Sequence, residues 1–399
     1  MKKNTRAIYF VLLCMIMVLS ACGKAGDKLS SKDFSYANIQ LGYDAQPYFD
    51  EMVGGIARVE KGYYYLSNDV ENNCTYLMYF DENTQNAVPV CNKAECSHKA
   101  ASDCDAVFSK DPIEGIGTPY GLWYYEGSLY IIINKLDINT ELTNCDLYQI
   151  SLDGSKRIKY IELFKTKNFG FVPYCHRGFL YIALDYDEDE VELYRVKLKK
   201  GAELEQIYTF KAEAANILDY QPYKKGIAFK CFSMEDGKIV SCVKYYDAET
   251  NEITELVSGL NDMSYRIIDN NYYYMIDKDL YVYNMDTKDS NLLYTFDYQV
   301  YLSYDGKYLY GDVCTGALLL PADEHYIYVL DTEGNLVDKI QTVSNCSCSF
   351  GDEKYLFQTF DLNENLVRLD ESVIKAFDKS QIGTGKQEWI ELPNTTVKQ

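Results

Sequence analysis

The chain has 399 residues, 47% of them hydrophobic and 15% aromatic, which is ample for a large buried core. Its formal charge is −21, with 60 acidic against 39 Lys and Arg residues. That excess speaks against a nucleic-acid partner, which needs a cationic surface.

The first segment reads as an export signal. Lys2, Lys3 and Arg6 are followed by an apolar stretch of 13 residues from Ala7 to Leu19, long enough for a signal core and too short to span a bilayer. It ends in Leu19-Ser20-Ala21-Cys22, which resembles the lipobox of bacterial lipoproteins. The resemblance implies that residues 1–21 are a signal peptide and that Cys22 carries a thioether-linked diacylglycerol as the new N-terminus. An ordinary secretory signal with a chance cysteine is the competing reading. Removing the three cations takes the formal charge to −24. Residues 22–35 are rich in Gly, Ser, Lys and Asp and read as a lipidated flexible tether. The expected location is therefore the extracytoplasmic face of the cell membrane, with the lipid bilayer as one partner; stable anchoring takes more than one acyl chain.

From residue 36 to 399 a repeat dominates. Strands rich in Tyr and aliphatic residues, usually led by Gly or Asn, recur at Gly62-Tyr63-Tyr64-Tyr65, Gly127-Ser128-Leu129-Tyr130, Gly178-Phe179-Leu180-Tyr181, Gly226-Ile227-Ala228-Phe229, Asn271-Tyr272-Tyr273-Tyr274, Gly306-Lys307-Tyr308-Leu309-Tyr310 and Lys354-Tyr355-Leu356-Phe357. A second strand follows each, closing in a turn at Asp81, Asp153, Lys199, Asp247, Asp286, Asp331 or Asp378. The intervals between these turns are 72, 46, 48, 39, 45 and 47 residues, and five of the six match one four-stranded propeller blade. The pattern predicts an all-β fold, a β-propeller of seven four-stranded blades. Six or eight blades fit as well if a strand near Tyr48–Arg58 closes the ring differently. The 39 tyrosines are spread along the chain, which favours a structural use of most of them in half-buried strands.

The long first interval holds an insertion of about 26 residues, near 88–118. Within it Cys91, Cys96, His98 and Cys104 read C-x4-C-x-H-x5-C, a donor set able to complete a tetrahedral zinc shell and so to hold a structural zinc. Disulfide bonding is the competing reading, because exported cysteines meet an oxidising compartment. Free thiols are a third. Without Cys14 and Cys22 eleven cysteines remain, an odd number. Cys231 and Cys242 are disulfide candidates: a two-residue turn at Asp236-Gly237 sets them opposite each other on neighbouring strands. Cys346 and Cys348 stay unassigned.

The chain as a whole resembles the propeller lipoproteins of anaerobic Gram-positive bacteria, related to TolB-like propellers and to the propeller of the low-density-lipoprotein-receptor family. Leu147-Tyr148-Gln149-Ile150-Ser151-Leu152-Asp153-Gly154-Ser155 matches the receptor pattern of a strand ending in Leu-Asp-Gly, while Tyr-Tyr-Tyr stands where the receptor has Tyr-Trp-Thr-Asp. A sequence similar to C-N-K-x-x-C-x-H recurs in those lipoproteins, which implies that the Cys/His group acts there as a unit. Architecture and location are what the resemblance supplies.

Catalytic motifs are sparse. Gly383-Thr384-Gly385-Lys386 lacks the first glycine and the Ser/Thr of a phosphate-binding loop, and neither H-E-x-x-H nor G-x-S-x-G occurs. The three histidines are His98, His176 and His325; Cys175 and His176 are sequence neighbours on a strand and so point to opposite faces. The acidic run Asp185–Glu192 departs from the calcium-loop pattern and reads as a solvated hairpin. The expected function is a surface-anchored propeller scaffold that binds an extracellular glycan, peptide or protein, with the question of an enzymatic activity left open. Two alternatives stand beside it: a carbohydrate-active enzyme with carboxylates in the channel, and an envelope-assembly or sensing component.

Overall fold

The computed structural model describes residues 34, 39–44, 55–69, 72–99, 104–109, 117–166, 171–187, 190–211, 219–235, 238–260, 262, 264–313, 326–342, 349–361 and 372–392. Their strands form seven antiparallel sheets, each drawn from one continuous piece of chain. The fold is a seven-bladed β-propeller. Blade 1 comprises β1 (Ile56–Val59), β2 (Gly62–Asp69), β3 (Cys74–Asp81) and β4 (Asn86–Pro89), with a short β5 (Val107–Ser109) added to β3. Blades 2 to 7 begin at the strands Thr118–Tyr125, Phe171–His176, Tyr220–Tyr223, Tyr265–Ile268, Val300–Tyr304 and Ser349–Gly351. They end at Arg157–Thr166, Leu204–Lys211, Ile253–Ser258, Ser290–Thr295, Leu336–Gln341 and Trp389–Leu392. Ile56–Val59 is the first strand of its own blade and pairs with β2, so six- and eight-bladed closures are ruled out.

The repeated Tyr-rich strand is the second of each blade and the Asp turn follows the third. The turn aspartates work by accepting backbone amides two to four residues on: Asp81 from Asn83 and Thr84, Asp247 from Glu249 and Thr250, Asp331 from Glu333 and Asn335. This local bond lets a short polar side chain close the hairpin. In blade 5 Asn284, not Asp286, accepts the amides of Asp286 and Thr287. In blades 2 to 6 the register slips by a residue between the third and fourth strands, as at Val243/Lys244 and Val329/Leu330. Such bulges add twist to the outer edge of a blade.

Tyrosine earns its frequency at the blade interfaces. The ring fills the space between two sheets, and the hydroxyl donates to backbone of the neighbouring blade. Tyr64 donates to the Leu152 carbonyl at 2.8 Å, Tyr223 to Asp269 at 3.1 Å, Tyr265 to Asp219 at 3.1 Å and Tyr273 to Thr332 at 3.1 Å. Phenylalanine would supply the same area without these bonds.

The ring closes between blades 7 and 1 without a shared strand. Ile56, Tyr63, Tyr65, Met78 and Phe80 pack with Tyr355, Phe357, Ile374, Ala376 and Leu392 in one buried cluster. An ionic chain lies beside it. Tyr310 donates to Asp305 at 2.7 Å; the Lys379 ammonium bonds Asp305 and the Asp352 carbonyl; Tyr63 donates to the Asp352 carboxylate, with the Arg58 guanidinium 3.5 Å away.

Two outcomes test this packing. Tyr64→Phe should lower stability by about 1 kcal/mol, the net worth of one hydrogen bond, read as a lower denaturant midpoint at unchanged slope. Tyr63→Phe should cost about 1–3 kcal/mol, because it strips a donor from a buried carboxylate.

Candidate metal centre

Three strands and a turn prepare the Cys/His insertion. Leaving β4, the chain is pinned where the Val90 amide donates to the Leu77 carbonyl at 2.9 Å, and it is pinned again where Leu77 donates to Ala106 at 2.8 Å. Both ends of the loop are thus tied to β3. Between them a turn bonds the Cys96 amide to the Lys93 carbonyl at 3.1 Å. His98 adopts φ +52°, a left-handed conformation uncommon for a side chain of this size.

The four residues converge. One donor atom from each of Cys91, Cys96, His98 and Cys104 lies within 4.8 Å of all the others, and His98 Nδ1 stands 3.8 Å from Cys104 Sγ. Zinc bonded to sulfur at 2.3 Å and to nitrogen at 2.0–2.1 Å in a tetrahedron has edges of about 3.6–3.8 Å, so the set needs only a small contraction. Each sulfur also accepts the amide two residues on: Cys91 from Lys93 (and from Asp105), Cys96 from His98 at 3.4 Å and Cys104 from Ala106. This repeated geometry turns backbone dipoles toward sulfur charge.

The thiols are unequal without a cation. Burial raises Cys91, yet the amides of Lys93 and Asp105 and the neighbouring thiols hold it below the ordinary thiol value. Cys104 is pushed up to about 12, first by burial and then by Cys96 and Cys91. A bound metal would displace the retained protons.

Arg157, from the fourth strand of blade 2, is the partner that sequence spacing does not reveal. It donates to the Val107 carbonyl at 2.8 Å, its guanidinium lies 4.0 Å over the Phe108 ring, and it interacts electrostatically with Asp105, Cys104 and Cys91. Lys93 pairs with Asp105 at 3.1 Å. Zn2+ held by three thiolates and a neutral imidazole would carry one net negative charge, and Arg157 is placed where it would offset that charge. Sequence gave no pointer to it, since 50 residues separate it from Val107.

The remaining sequence candidates divide. Cys231 and Cys242 are paired residue to residue on the second and third strands of blade 4 (Gly226–Glu235 and Lys238–Tyr246), with sulfurs 2.9 Å apart. Cys22, His325, Cys346, Cys348 and the Asp236-Gly237 turn lie outside the described residues, as does part of the acidic run. Cys175 and His176 do point apart. Cys175 joins the core between blades 2 and 3, its thiol pushed up to about 12 by burial. His176 is fully buried, 4.6 Å edge-on to Phe34, with Nε2 3.3 Å from the Lys224 carbonyl. Burial raises the carboxyls of Asp44 and Asp352, which lie 3.8 Å from Arg177 and 3.5 Å from Arg58; Asp219, partly exposed, lies 3.9 Å from Arg266. Asp262, beside Asp219, is held by Lys230 at 2.8 Å and Tyr272 at 3.0 Å.

No protein-family model and no curated protein matches the chain. Several solved structures are similar. They include the β-propeller domain of the trilobed protease from Pyrococcus furiosus, at 9% identity over 88% of this chain and 99% of that one, with a TM-score of 0.48. TolB from Acinetobacter baumannii matches at 12% over 88% and 83%, with a TM-score of 0.38. An acylaminoacyl peptidase from Pyrococcus horikoshii matches at 12% over 65% of this chain, which spans 44% of that protein, with a TM-score of 0.46. The architecture assigned here rests on the strand pairing itself.

His176 yields a pH prediction. Burial first, then the Arg177 charge, press its pKa down to about 3, against a Lys224 bond that raises it. An imidazole depressed in the folded state is stabilising above its unfolded pKa of about 6.5. That contribution shrinks as pH falls from there toward 3, because the unfolded chain binds the extra proton. Thermal melts between pH 7 and 4 should show this loss, and His176→Asn should flatten it.

Proposed function

We propose that this chain is a lipid-anchored extracytoplasmic scaffold, a propeller whose first blade is braced by a structural zinc ion on Cys91, Cys96, His98 and Cys104, and that it binds a glycan, peptide or protein. The observation that carries the zinc reading is the convergence of four donor atoms within 4.8 Å. A disulfide would use two of the three sulfurs and leave the third and the imidazole without a role, whereas a closed Cys3His shell uses all four. Such a shell has no open position, so the metal holds structure and does not act on substrate. The amide bonds to each sulfur and the Arg157 guanidinium favour the thiolate form that zinc requires.

The binding role is supported by how the described carboxyls are engaged. An acid catalyst needs a raised carboxyl aimed at substrate, and Asp44, Asp219 and Asp352 each sit beside a guanidinium instead. The membrane anchor rests on the signal and lipobox that end at Cys22.

Metal analysis of the purified chain should find one zinc per chain, with cobalt substitution giving thiolate charge-transfer bands. Cys96→Ala should lose the metal, and Arg157→Met should weaken zinc binding by about 10-fold, the lower end for residues that support ligands. Affinity should fall as pH is lowered, since binding the metal releases protons from its ligands. Metal-free protein with a Cys91–Cys96 or Cys96–Cys104 disulfide would overturn the reading. Cys22→Ala should move the chain from the membrane fraction to the soluble one and abolish the diacylglyceryl mass on the mature N-terminal peptide. A thermal-shift screen against oligosaccharides and peptides addresses the ligand; turnover of any hit would overturn the non-catalytic role.

A further inference from the structure

The second cysteine group lies in blade 4, away from the insertion. Its two members face each other across an antiparallel hairpin: the register runs Glu235↔Lys238, Met234↔Ile239, Ser233↔Val240, Phe232↔Ser241 and Cys231↔Cys242. The sulfurs are 2.9 Å apart and unbonded, with the Cys231 thiol also 3.5 Å from the Cys242 carbonyl. A disulfide spans 2.03–2.05 Å, so bond formation needs a shift of under an ångström along a line the side chains already share. The two thiols differ in access. Cys231 is 4% exposed and packed in the blade, whereas Cys242 is half-buried. The Lys244 ammonium, two residues along the strand, interacts electrostatically with both sulfurs and is itself held by the Tyr208 hydroxyl at 2.7 Å.

We infer that Cys231 and Cys242 form a redox-active pair that takes a cross-strand disulfide from a small-molecule or protein disulfide donor, with Cys242 as the attacking thiol and Cys231 as the resolving one. The Cys242 thiolate attacks one sulfur of the donor; the donor S–S bond breaks and the first donor thiolate leaves. Cys231 then loses its proton, attacks the Cys242 sulfur of the mixed disulfide and expels the second donor thiolate. Two protein thiols are oxidised and one donor disulfide is reduced to two thiols, which take up the two protons. Cys242 attacks because it is the more accessible of the two; Cys231 resolves because burial shields it from a bulky donor. The oxidising surroundings that would maintain the bond in the cell rest on the extracytoplasmic location proposed above, but the chemistry of the pair does not.

The test uses the full chain, reduced, desalted and incubated with oxidised glutathione. Peptide mass spectrometry after alkylation should recover the peptides of Cys231 and Cys242 joined, about 2 Da lighter than the two reduced peptides together. In Cys231→Ala, Cys242 should accumulate as a stable glutathione adduct. In Cys242→Ala, the adduct on Cys231 should form at least tenfold more slowly. Full alkylation of both residues after prolonged exposure to the donor would overturn the proposal, and equal reactivity of the two single variants would overturn the assigned order. Because the donor is supplied in solution, a failed Cys22 anchor leaves this result unaffected, and failure of the pair leaves the anchor standing.

Discussion

A propeller must join its last blade to its first, and among the described residues no shared strand does so. Among the described residues every blade is a contiguous piece of chain, and blades 7 and 1 meet through the faces they present to each other. The aromatic contacts at that seam are close, with Tyr63 centred 5.0 Å from Phe357 and 5.8 Å from Tyr355. The polar groups beneath them alternate in sign: Asp305, Lys379, Asp352 and Arg58. A buried carboxylate is tolerated only when paired, and this one chain of charges runs across blades 6, 7 and 1. In Asp305 burial pushes upward, but Lys379, the Tyr308 amide and Tyr310 outweigh it and hold the carboxyl below its usual range. Geometry elsewhere in the ring depends on this closure, since each blade buries its faces only while its neighbours stay in place.

The insertion of blade 1 reaches both sides of the same region. Cys74, Cys104, Ala106 and Val107 belong to the cluster that includes Tyr355, Ile374 and Leu392 of blade 7. Val90 and Phe108 belong to the next cluster, with Leu122, Leu129 and Ile150 of blade 2. Gly154 of blade 2 lies so near the Val90 carbonyl that an added Cβ would stand 2.4 Å from it. A cation held by Cys91, Cys96, His98 and Cys104 would therefore stiffen a loop wedged between two interfaces.

How much of this the sequence carries depends on the range of the interaction. Blade number and strand order were legible because the Tyr-rich strand and its Asp turn repeat locally, and amides two to four residues away satisfy the turn aspartate. In blade 5 the turn holds Asp286 as read, and the amides are accepted by Asn284, which offers an equivalent carbonyl oxygen. The convergence of Cys91, Cys96, His98 and Cys104 was legible since all four come from one short loop. The pairing of Cys231 with Cys242 across its hairpin follows from turn position and the two-residue period of strands. Arg157, Lys379 and Tyr63 were not legible, because each acts on a group in another blade, tens to hundreds of residues away, and no local pattern marks the contact.

The cysteines illustrate how one residue type is put to separate uses by surroundings alone. Cys145 and Cys175 are enclosed by apolar side chains, and burial pushes both thiols up to about 12, leaving them as small core residues. Cys91, Cys96 and Cys104 are instead met by backbone amides two residues on, an arrangement suited to sulfur carrying charge. Cys231 and Cys242 have each other and one nearby ammonium. An odd total is then no anomaly: a Cys3His shell takes three sulfurs, a cross-strand bond takes two, and core thiols need no partner at all. Counting cysteines by parity presumes that all of them share one chemistry, and the blades of this propeller offer three different environments.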